Sequence, residues 1–299
     1  MRRNLIFMAA LALALPAFAG DGHDHWGSHR GLSISMDDDD GDITDCSQIR
    51  VTYDGRVVPM VSEDLPGVAG LRSLKVRSDR NGGIRVTGGA SAFAVKVCKA
   101  SALGDVRDIQ ARLSGNEVSA ERSDEDSKSV VYFLVSAPRG ATLDLSANNG
   151  PIGIDSVDGN VTARAKNGPI SVKESSGTLD IDTQNGPIAF SGNSGNVKLH
   201  ANNGPISVRL SGSGWTGGSL DAATQNGPMS LKLPRGYRSG VVVESDGNGP
   251  VTCRAEGCRE VRRFNDNGDD DRPRRIELGS GTRAVTLSTT NGPISVKED

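Results

Sequence analysis

Apolar and polar residues alternate in short runs through the second half of the chain, and the runs return every 18 residues. Alternation with a period of two is typical of β-strands that bury one face. We therefore predict two short strands in each 18-residue repeat. Four apolar columns keep this spacing: Leu143, Val161, Leu179 and Val197; Leu145, Ala163, Ile181 and Leu199; Ile152, Ile170, Ile188 and Ile206; and Ile154, Val172, Phe190 and Val208.

The tetrapeptide Asn-Gly-Pro-Ile, or a close variant of it, separates the two predicted strands of each repeat. Asn tolerates positive φ and Gly adopts it freely, so the pair predicts a tight corner, and Pro ends the incoming strand. Stacked copies would align their Asn side chains in a ladder of amide hydrogen bonds. A row of Asn side chains that ligates something is the alternative interpretation. The motif begins at Asn149, Asn167, Asn185, Asn203, Asn226, Asn248 and Asn291.

A fixed repeat period of this length is typical of solenoids. We predict an all-β, right-handed parallel β-solenoid, or single-stranded β-helix, over residues 141–299, with a loop insertion at about 255–275. Residues 44–140 are predicted to form N-terminal strands and a cap, with strands at 74–77, 84–87 and 130–135. A short helix is predicted at 105–113, because Val106, Ile109 and Leu113 share one helical side. The charged residues 297–299 are expected to discourage pairing at an exposed strand edge.

The first residues have the order of a secretory signal peptide. Arg2 and Arg3 precede a short apolar run, and Ala17-Phe18-Ala19 supplies a small-residue cleavage site. Residues 1–19 are therefore predicted to be removed, leaving a disordered His- and Asp-rich tail at 20–43. No second long apolar run follows, so we expect no transmembrane segment after cleavage.

Four cysteines remain in the chain: Cys46, Cys98, Cys253 and Cys258. An even number in an exported protein favours disulfides. Cys253 and Cys258 are close enough for a local loop, which would leave Cys46 and Cys98 to close a long one. A four-thiolate zinc site is the alternative, but the C-x2-C pairs common in such sites are missing.

The remaining candidate sites each have a simpler structural interpretation. His23, His25 and His29 are weak candidate metal ligands within the polar tail. Asp182 and His200 fall in one 18-residue column, either as a carboxylate–histidine site or as part of a charge ladder that sets strand register. The glycines of 212–217 match a dinucleotide fingerprint, but no helix follows them. The acidic segment 266–271 is interpreted as a solvated loop rather than a calcium loop.

The sequence resembles the bacterial DUF4097 family, often labelled "putative adhesin". The resemblance lies in Leu74-Lys75-Val76, in 81–86 and 135–140, in the Asn-Gly-Pro-Ile series and in 276–279. It covers most of residues 70–299. It implies an exported β-strand repeat protein and supplies no catalytic residues.

These patterns together lead us to expect an exported, non-enzymatic protein of the cell envelope, either periplasmic or extracellular at the cell surface. Its adhesin-like stacked strands would contact a protein or a glycan. We expect no cofactor, and 34 Lys and Arg against 37 Asp and Glu do not favour nucleic acid. Two alternatives are a β-helical enzyme acting on polysaccharide and a periplasmic metal-binding protein that uses the histidine cluster.

Overall fold

The computed structural model describes residues 31–36, 43–122, 128–247, 249–261 and 274–299. The predicted signal peptide at 1–19 and most of the predicted tail at 20–43 lie outside these residues. An antiparallel sheet of three strands begins the described part: β1 (Leu32–Met36), β2 (Ile49–Tyr53) and β3 (Arg56–Val58). A 3₁₀ helix, Cys46–Gln48, leads into β2.

The other strands join a second, much larger sheet. They are β4 (Val61–Asp64), β5 (Ser73–Asn81), β6 (Ile84–Ala90), β7 (Ala94–Ser101), β8 (Ile109–Ser114), β9 (Glu117–Arg122), β10 (Ser129–Pro138), β11 (Ala141–Asn149), β12 (Ile152–Asp155), β13 (Asp158–Asn167), β14 (Ile170–Lys173), β15 (Ser176–Asn185), β16 (Ile188–Gly192), β17 (Asn196–Asn203), β18 (Ile206–Leu210), β19 (Leu220–Asn226), β20 (Met229–Leu233), β21 (Gly240–Ser245), β22 (Val251–Cys253), β23 (Arg259–Val261), β24 (Arg274–Leu278), β25 (Arg283–Asn291) and β26 (Ile294–Glu298).

Two stacks of parallel strands dominate this sheet. Ladder A contains, in spatial order, β5, β11, β13, β15, β17, β19, β25 and β21. Ladder B contains β6, β12, β14, β16, β18, β20, β26 and β22. One strand of each ladder, joined by a corner, makes a rung. The predicted register is confirmed, since Leu143 pairs with Val161 and Ile152 pairs with Ile170. The predicted all-β class, built from stacked parallel strands, is confirmed as well.

Both ladders bury their alternate apolar residues in one hydrophobic core. Leu145 and Ile181 of ladder A and Ile152 of ladder B are fully buried within the same cluster. Burial of a Leu or Ile side chain stabilises a fold by roughly 1.5–3 kcal/mol, so a column repeated over many rungs contributes strongly. Thr183 and Thr224 are also buried, and their hydroxyls donate to corner carbonyls of the previous rung, those of Gly168 (3.3 Å) and Gly204 (3.0 Å).

The corners hold stacked Asn side chains. The Nδ2 of each Asn donates to the Oδ1 of the Asn on the preceding rung at 3.0–3.1 Å. The bonded series is Asn149, Asn167, Asn185, Asn203, Asn226 and Asn291. Asn248, which the sequence places in this series, lies outside the described residues.

The predicted reason for glycine at these corners is wrong. Gly168, Gly186 and Gly204 do not adopt positive φ. Their backbones instead lie against the corner of the previous rung, so a Cβ on Gly186 would come within 2.2 Å of the Gly168 carbonyl oxygen. A Cβ on Gly204 would come within 2.0 Å of the Gly186 oxygen. Glycine is required because stacked corners leave no room for a side chain.

The predicted helix at 105–113 is also wrong. A 3₁₀ helix, Val106–Asp108, is followed directly by β8, which forms an antiparallel hairpin with β9. Burial along β8 alternates with a period of two, and Gly115 takes φ 63° in the turn that closes the hairpin. The apolar spacing of Ile109 and Leu113 therefore belongs to a strand. The three strands predicted at 74–77, 84–87 and 130–135 are confirmed within β5, β6 and β10.

The last repeat does not lie at the end of the stack. β26 pairs with β20 on one side and with β22 on the other, and β25 lies between β19 and β21. The expectation that residues 297–299 protect an exposed edge is therefore wrong. The outer side of β21 pairs with β24, an antiparallel strand contributed by the long insertion. The chain thus forms the β21–β22 rung first, and the later β25–β26 rung fills the place between it and β19–β20.

Candidate functional site

The outward face of ladder A carries charges that alternate in sign from strand to strand. The charged residues are Lys75 and Arg77 on β5, Asp144 on β11, Arg164 on β13, Asp180 and Asp182 on β15, Lys198 and His200 on β17, and Asp221 on β19. Arg77 contacts Asp144 at 3.1 Å, and Arg164 contacts Asp180 at 2.6 Å. Opposite charges on neighbouring strands stabilise their pairing, so this face compensates its own charge.

Asp182 and His200 do come together on this face. The Oδ2 of Asp182 lies 2.8 Å from the Nδ1 of His200, and both side chains are partly exposed. Arg164 and Ala223 occupy the next positions of the same register column. Neither residue is a nucleophile, so the direct neighbours of the pair supply no partner for covalent chemistry. The geometry is that of one more step in the charge ladder.

The outward face of ladder B has a different composition. One register column contains Gly153, Ser171, Ala189, Ser207, Ser230 and Ser295, and the next contains Asp155, Lys173, Ser191, Arg209, Lys232 and Lys297. We call the outward residues of these two columns on the ladder B strands β14, β16, β18, β20 and β26 the serine–cation face. Ser230 donates to Ser207 through their hydroxyls at 3.0 Å, so the serines of adjacent strands are in contact.

Carboxylates are placed at the borders of the serine–cation face. Asp155, on the preceding strand β12, is held at 3.2 Å by Arg85, and both side chains are largely buried. The carboxylate of Asp299 lies 3.9 Å from Arg209 and 4.0 Å from Lys232. Glu298 accepts the N–H of Glu256 at 3.1 Å. The two outward columns between β14 and β26 contain no carboxylate, so their charge is positive.

A cleft of about 310 Å³ with polar and apolar residues in its lining lies where ladder B meets the N-terminal strands. Arg85 and Thr87 of β6 line it together with Asp64 and Lys96. The Lys96 ammonium is 3.0 Å from the carboxylate of Asp45. Hydrogen bonds from the Ser47 backbone N–H and from Lys96 lower the pKa of Asp45 to about 2. The cations of this cleft are therefore already engaged by carboxylates.

The structure pairs all four cysteines as disulfides. Cys46 is bonded to Cys98 and Cys253 to Cys258. The first bond ties the 3₁₀ helix Cys46–Gln48 to β7. Thiols held in disulfides are not available as a four-thiolate zinc site.

The glycine-rich segment 212–217 packs against the ladders. Trp215 is buried, and its ring lies 5.9 Å from that of Phe190. Its Nε1 donates to the Gly195 carbonyl at 3.0 Å. The inserted segment therefore adds an aromatic side chain to the core, in place of the dinucleotide loop that its glycines resemble.

The candidate metal ligands His23, His25 and His29 lie outside the described residues, as does the acidic segment 266–271. Within the described ranges, no three His, Cys, Asp or Glu side chains are grouped as metal ligands. Among those same residues, no helix is long and apolar enough to cross a membrane.

The sequence patterns above did not single out the serine–cation face, although its signal is visible in the sequence. Four of the corner prolines are followed by a similar motif: Ile-Ser-Val-Lys at 170–173 and 294–297, Ile-Ser-Val-Arg at 206–209, and Met-Ser-Leu-Lys at 229–232. The corners at 151, 187 and 250 depart from it. The apolar residues of this motif establish the strand. The alternating polar residues establish the composition of its outer face.

Comparisons with known proteins return solved structures of bacterial proteins. No protein-family model matches the chain, and no curated protein matches it significantly. A "putative cell adhesion protein" from Clostridium sporogenes is 12% identical, with a TM-score of 0.33, over 81% of this chain and 100% of that one. A "putative adhesin" from Bacteroides fragilis is 11% identical, with a TM-score of 0.37, over 80% of this chain and 97% of that one. One from Parabacteroides merdae is 9% identical, with a TM-score of 0.29, over 80% of this chain and 96% of that one. Scores this low say nothing about what this chain binds.

Proposed function

We propose that this chain is an exported, non-enzymatic protein of the cell envelope that uses stacked strands as a contact surface, in the manner of an adhesin. We further propose that the two ladders form a right-handed β-solenoid and that the chain belongs to the DUF4097 family that its sequence resembles. The observation that carries the functional proposal is the serine–cation face. On the successive strands β18, β20 and β26 it presents a Ser and a cation in the same register, as a surface for repeated contact does.

Export is supported by the disulfides. Bonds such as Cys46–Cys98 persist in oxidising compartments and are rare in the cytosol. The two cysteines are 52 positions apart in sequence, so the bond lowers the conformational entropy of the unfolded chain and thereby stabilises the folded state. The predicted signal peptide agrees with the same compartment.

The non-enzymatic assignment is supported by the outward columns. Asp180 and Asp182 lie on one strand, two residues apart, which separates their Cα atoms by roughly 7 Å along the strand. Glycosidases place two carboxylates on opposite sides of the scissile bond. Asp180 is instead paired with Arg164, and Asp182 with His200.

Two measurements test this proposal. Protease shaving of intact cells, with lysed cells and a periplasmic marker as controls, should show whether the exported chain lies at the cell surface or in the periplasm. The purified full chain should also bind isolated cell-envelope material in a saturable manner. Recovery of the protein only with the cytosol, or no saturable binding to envelope material, would contradict the proposal.

A further inference from the structure

We propose that the serine–cation face binds a linear acidic polysaccharide of the polyuronate class. Arg209, Lys232 and Lys297 would pair with its carboxylates, and the serine column would hydrogen-bond its hydroxyl groups. This inference rests on the proposed contact function and names the partner chemistry and the face that takes it.

The three cations lie in a line across the strands. They occupy one register column on the successive strands β18, β20 and β26. Neighbouring strands are roughly 4.8 Å apart, so the column extends along the stacking direction. A ligand that meets all three must therefore be extended and must carry repeated negative charge.

The column beside the cations is small and hydroxylated. Ser207, Ser230 and Ser295 lie on the same three strands and are partly or fully exposed. Each hydroxyl is both a donor and an acceptor, which matches the hydroxyl groups of a sugar. Because no large side chain stands in this column, an extended chain can lie close to the strands.

Asp299 shows that a carboxylate fits between the cations. Its side-chain oxygens lie 3.9 Å from Arg209 and 4.0 Å from Lys232. All three side chains are well exposed, and ion pairs of this kind contribute little to stability. A ligand with several carboxylates in a row can therefore displace this single one.

Other polyanions fit this face less well. Single-stranded nucleic acids are held largely by bases stacked on aromatic side chains, and the outward columns from β14 to β26 contain no aromatic residue. Binding to an anionic bilayer is strengthened by apolar side chains that enter it, and Ala189 is the largest apolar residue in these columns. Ladder A is excluded by its alternating charges, which would repel a polyanion at every second strand.

The test compares two triple variants of the full chain for binding to alginate, a linear polyuronate. Arg209→Gln/Lys232→Gln/Lys297→Gln removes three positive charges from the serine–cation face. Arg139→Gln/Lys166→Gln/Lys198→Gln removes the same number and types of exposed charges elsewhere. We expect alginate affinity to fall at least tenfold in the first variant and to change less than twofold in the second. Unchanged urea unfolding midpoints would establish that both variants fold.

Three controls define the ligand. Neutral dextran should not bind, and neither RNA nor anionic phospholipid vesicles should bind more tightly than alginate. Equal losses in the two triple variants would overturn the inference, because they would show a response to net charge alone. Absence of alginate binding, tighter binding of RNA or vesicles, or binding of dextran would overturn it as well.

The cell-envelope assay separates this inference from the proposed function. If the wild-type chain binds envelope material but not alginate, the inference fails and the contact function stands. If the Arg209→Gln/Lys232→Gln/Lys297→Gln variant still binds envelope material, the inference fails and the contact function stands. If the chain binds neither material, both proposals fail.

Discussion

At the scale of single residues, the Asn-Gly-Pro corners explain why the repeat is so regular in sequence. The Asn bonds through its side chain to the corners above and below it, and the Gly leaves space for the carbonyl of the preceding corner. The two residues have different physical roles, and separate substitutions distinguish them.

Gly186→Ala should destabilise the protein by about 2–3 kcal/mol, because the new Cβ would lie 2.2 Å from a backbone oxygen that cannot move alone. Gly70→Ala is the matched control, since no atom lies within 4 Å of a Cβ at that position. Urea unfolding followed by circular dichroism gives both values. Equal midpoints for the two variants would contradict the explanation based on space.

Asn185→Ala should lower the free energy of unfolding by about 1–2 kcal/mol, because it removes one side-chain hydrogen bond to Asn167 and one from Asn203. The control is Gln184→Ala, an exposed neighbour on the same strand. The same urea titration should show a change for Asn185 and little change for Gln184. A neutral effect of Asn185→Ala would show that the amide ladder adds nothing to stability.

At the scale of elements, the 3₁₀ helix Cys46–Gln48 is attached to the body of the protein by several bonds. Asp45 caps it through the Ser47 N–H and pairs with Lys96 of β7, and Cys46 is bonded to Cys98 of the same strand. These contacts lower the pKa of Asp45 from its ordinary 3.8 to about 2. The carboxylate form therefore favours the folded state.

This shift predicts a specific pH dependence. The stabilisation by Asp45 should be present above its ordinary pKa of 3.8, should weaken as the pH falls and should be lost below the folded-state pKa of about 2, because the unfolded chain takes up the proton first. The difference in unfolding midpoint between wild type and Asp45→Asn should therefore be largest at pH 7 and should shrink steadily as the pH falls from 4 to 2. Lys96→Gln should reduce the effect without abolishing it, since the Ser47 bond remains. A difference that does not vary with pH would contradict this account.

At the scale of the whole molecule, the final repeat fills a position inside the stack. Ile294 and Val296 of β26 are fully buried, and β26 pairs with strands on both of its sides. The last strand in sequence therefore lies between two other strands of ladder B. A solenoid built strictly in sequence order would instead leave this strand at an edge.

Removal of residues 293–299 should cause a large loss of stability, because β22 loses its parallel partner, β20 loses one of its two partners, and the core loses two buried side chains. Removal of Asp299 alone is the control and should have a small effect, since its contacts with Arg209 and Lys232 are long and exposed. Thermal unfolding of the two truncated proteins measures the difference. Similar midpoints would show that the final repeat is peripheral.

Two errors in sequence interpretation have the same origin. The pattern at 105–113 fits a helix on one side, but pairing with β9 decides that it is a strand. Glycine at the corners suggests positive φ, but the stacked neighbour decides that space is the constraint. In both cases the deciding contact comes from another segment of the chain.

The sequence by itself determined the strand period, the in-register pairing of neighbouring repeats and the positions of the corners. It could do so because identical 18-residue spacings place equivalent residues opposite one another without knowledge of any distant segment. Only the tertiary structure decided that the last repeat lies between β19–β20 and β21–β22. This placement depends on which strands become neighbours after the long insertion, and that choice is made by burial and pairing across the whole molecule.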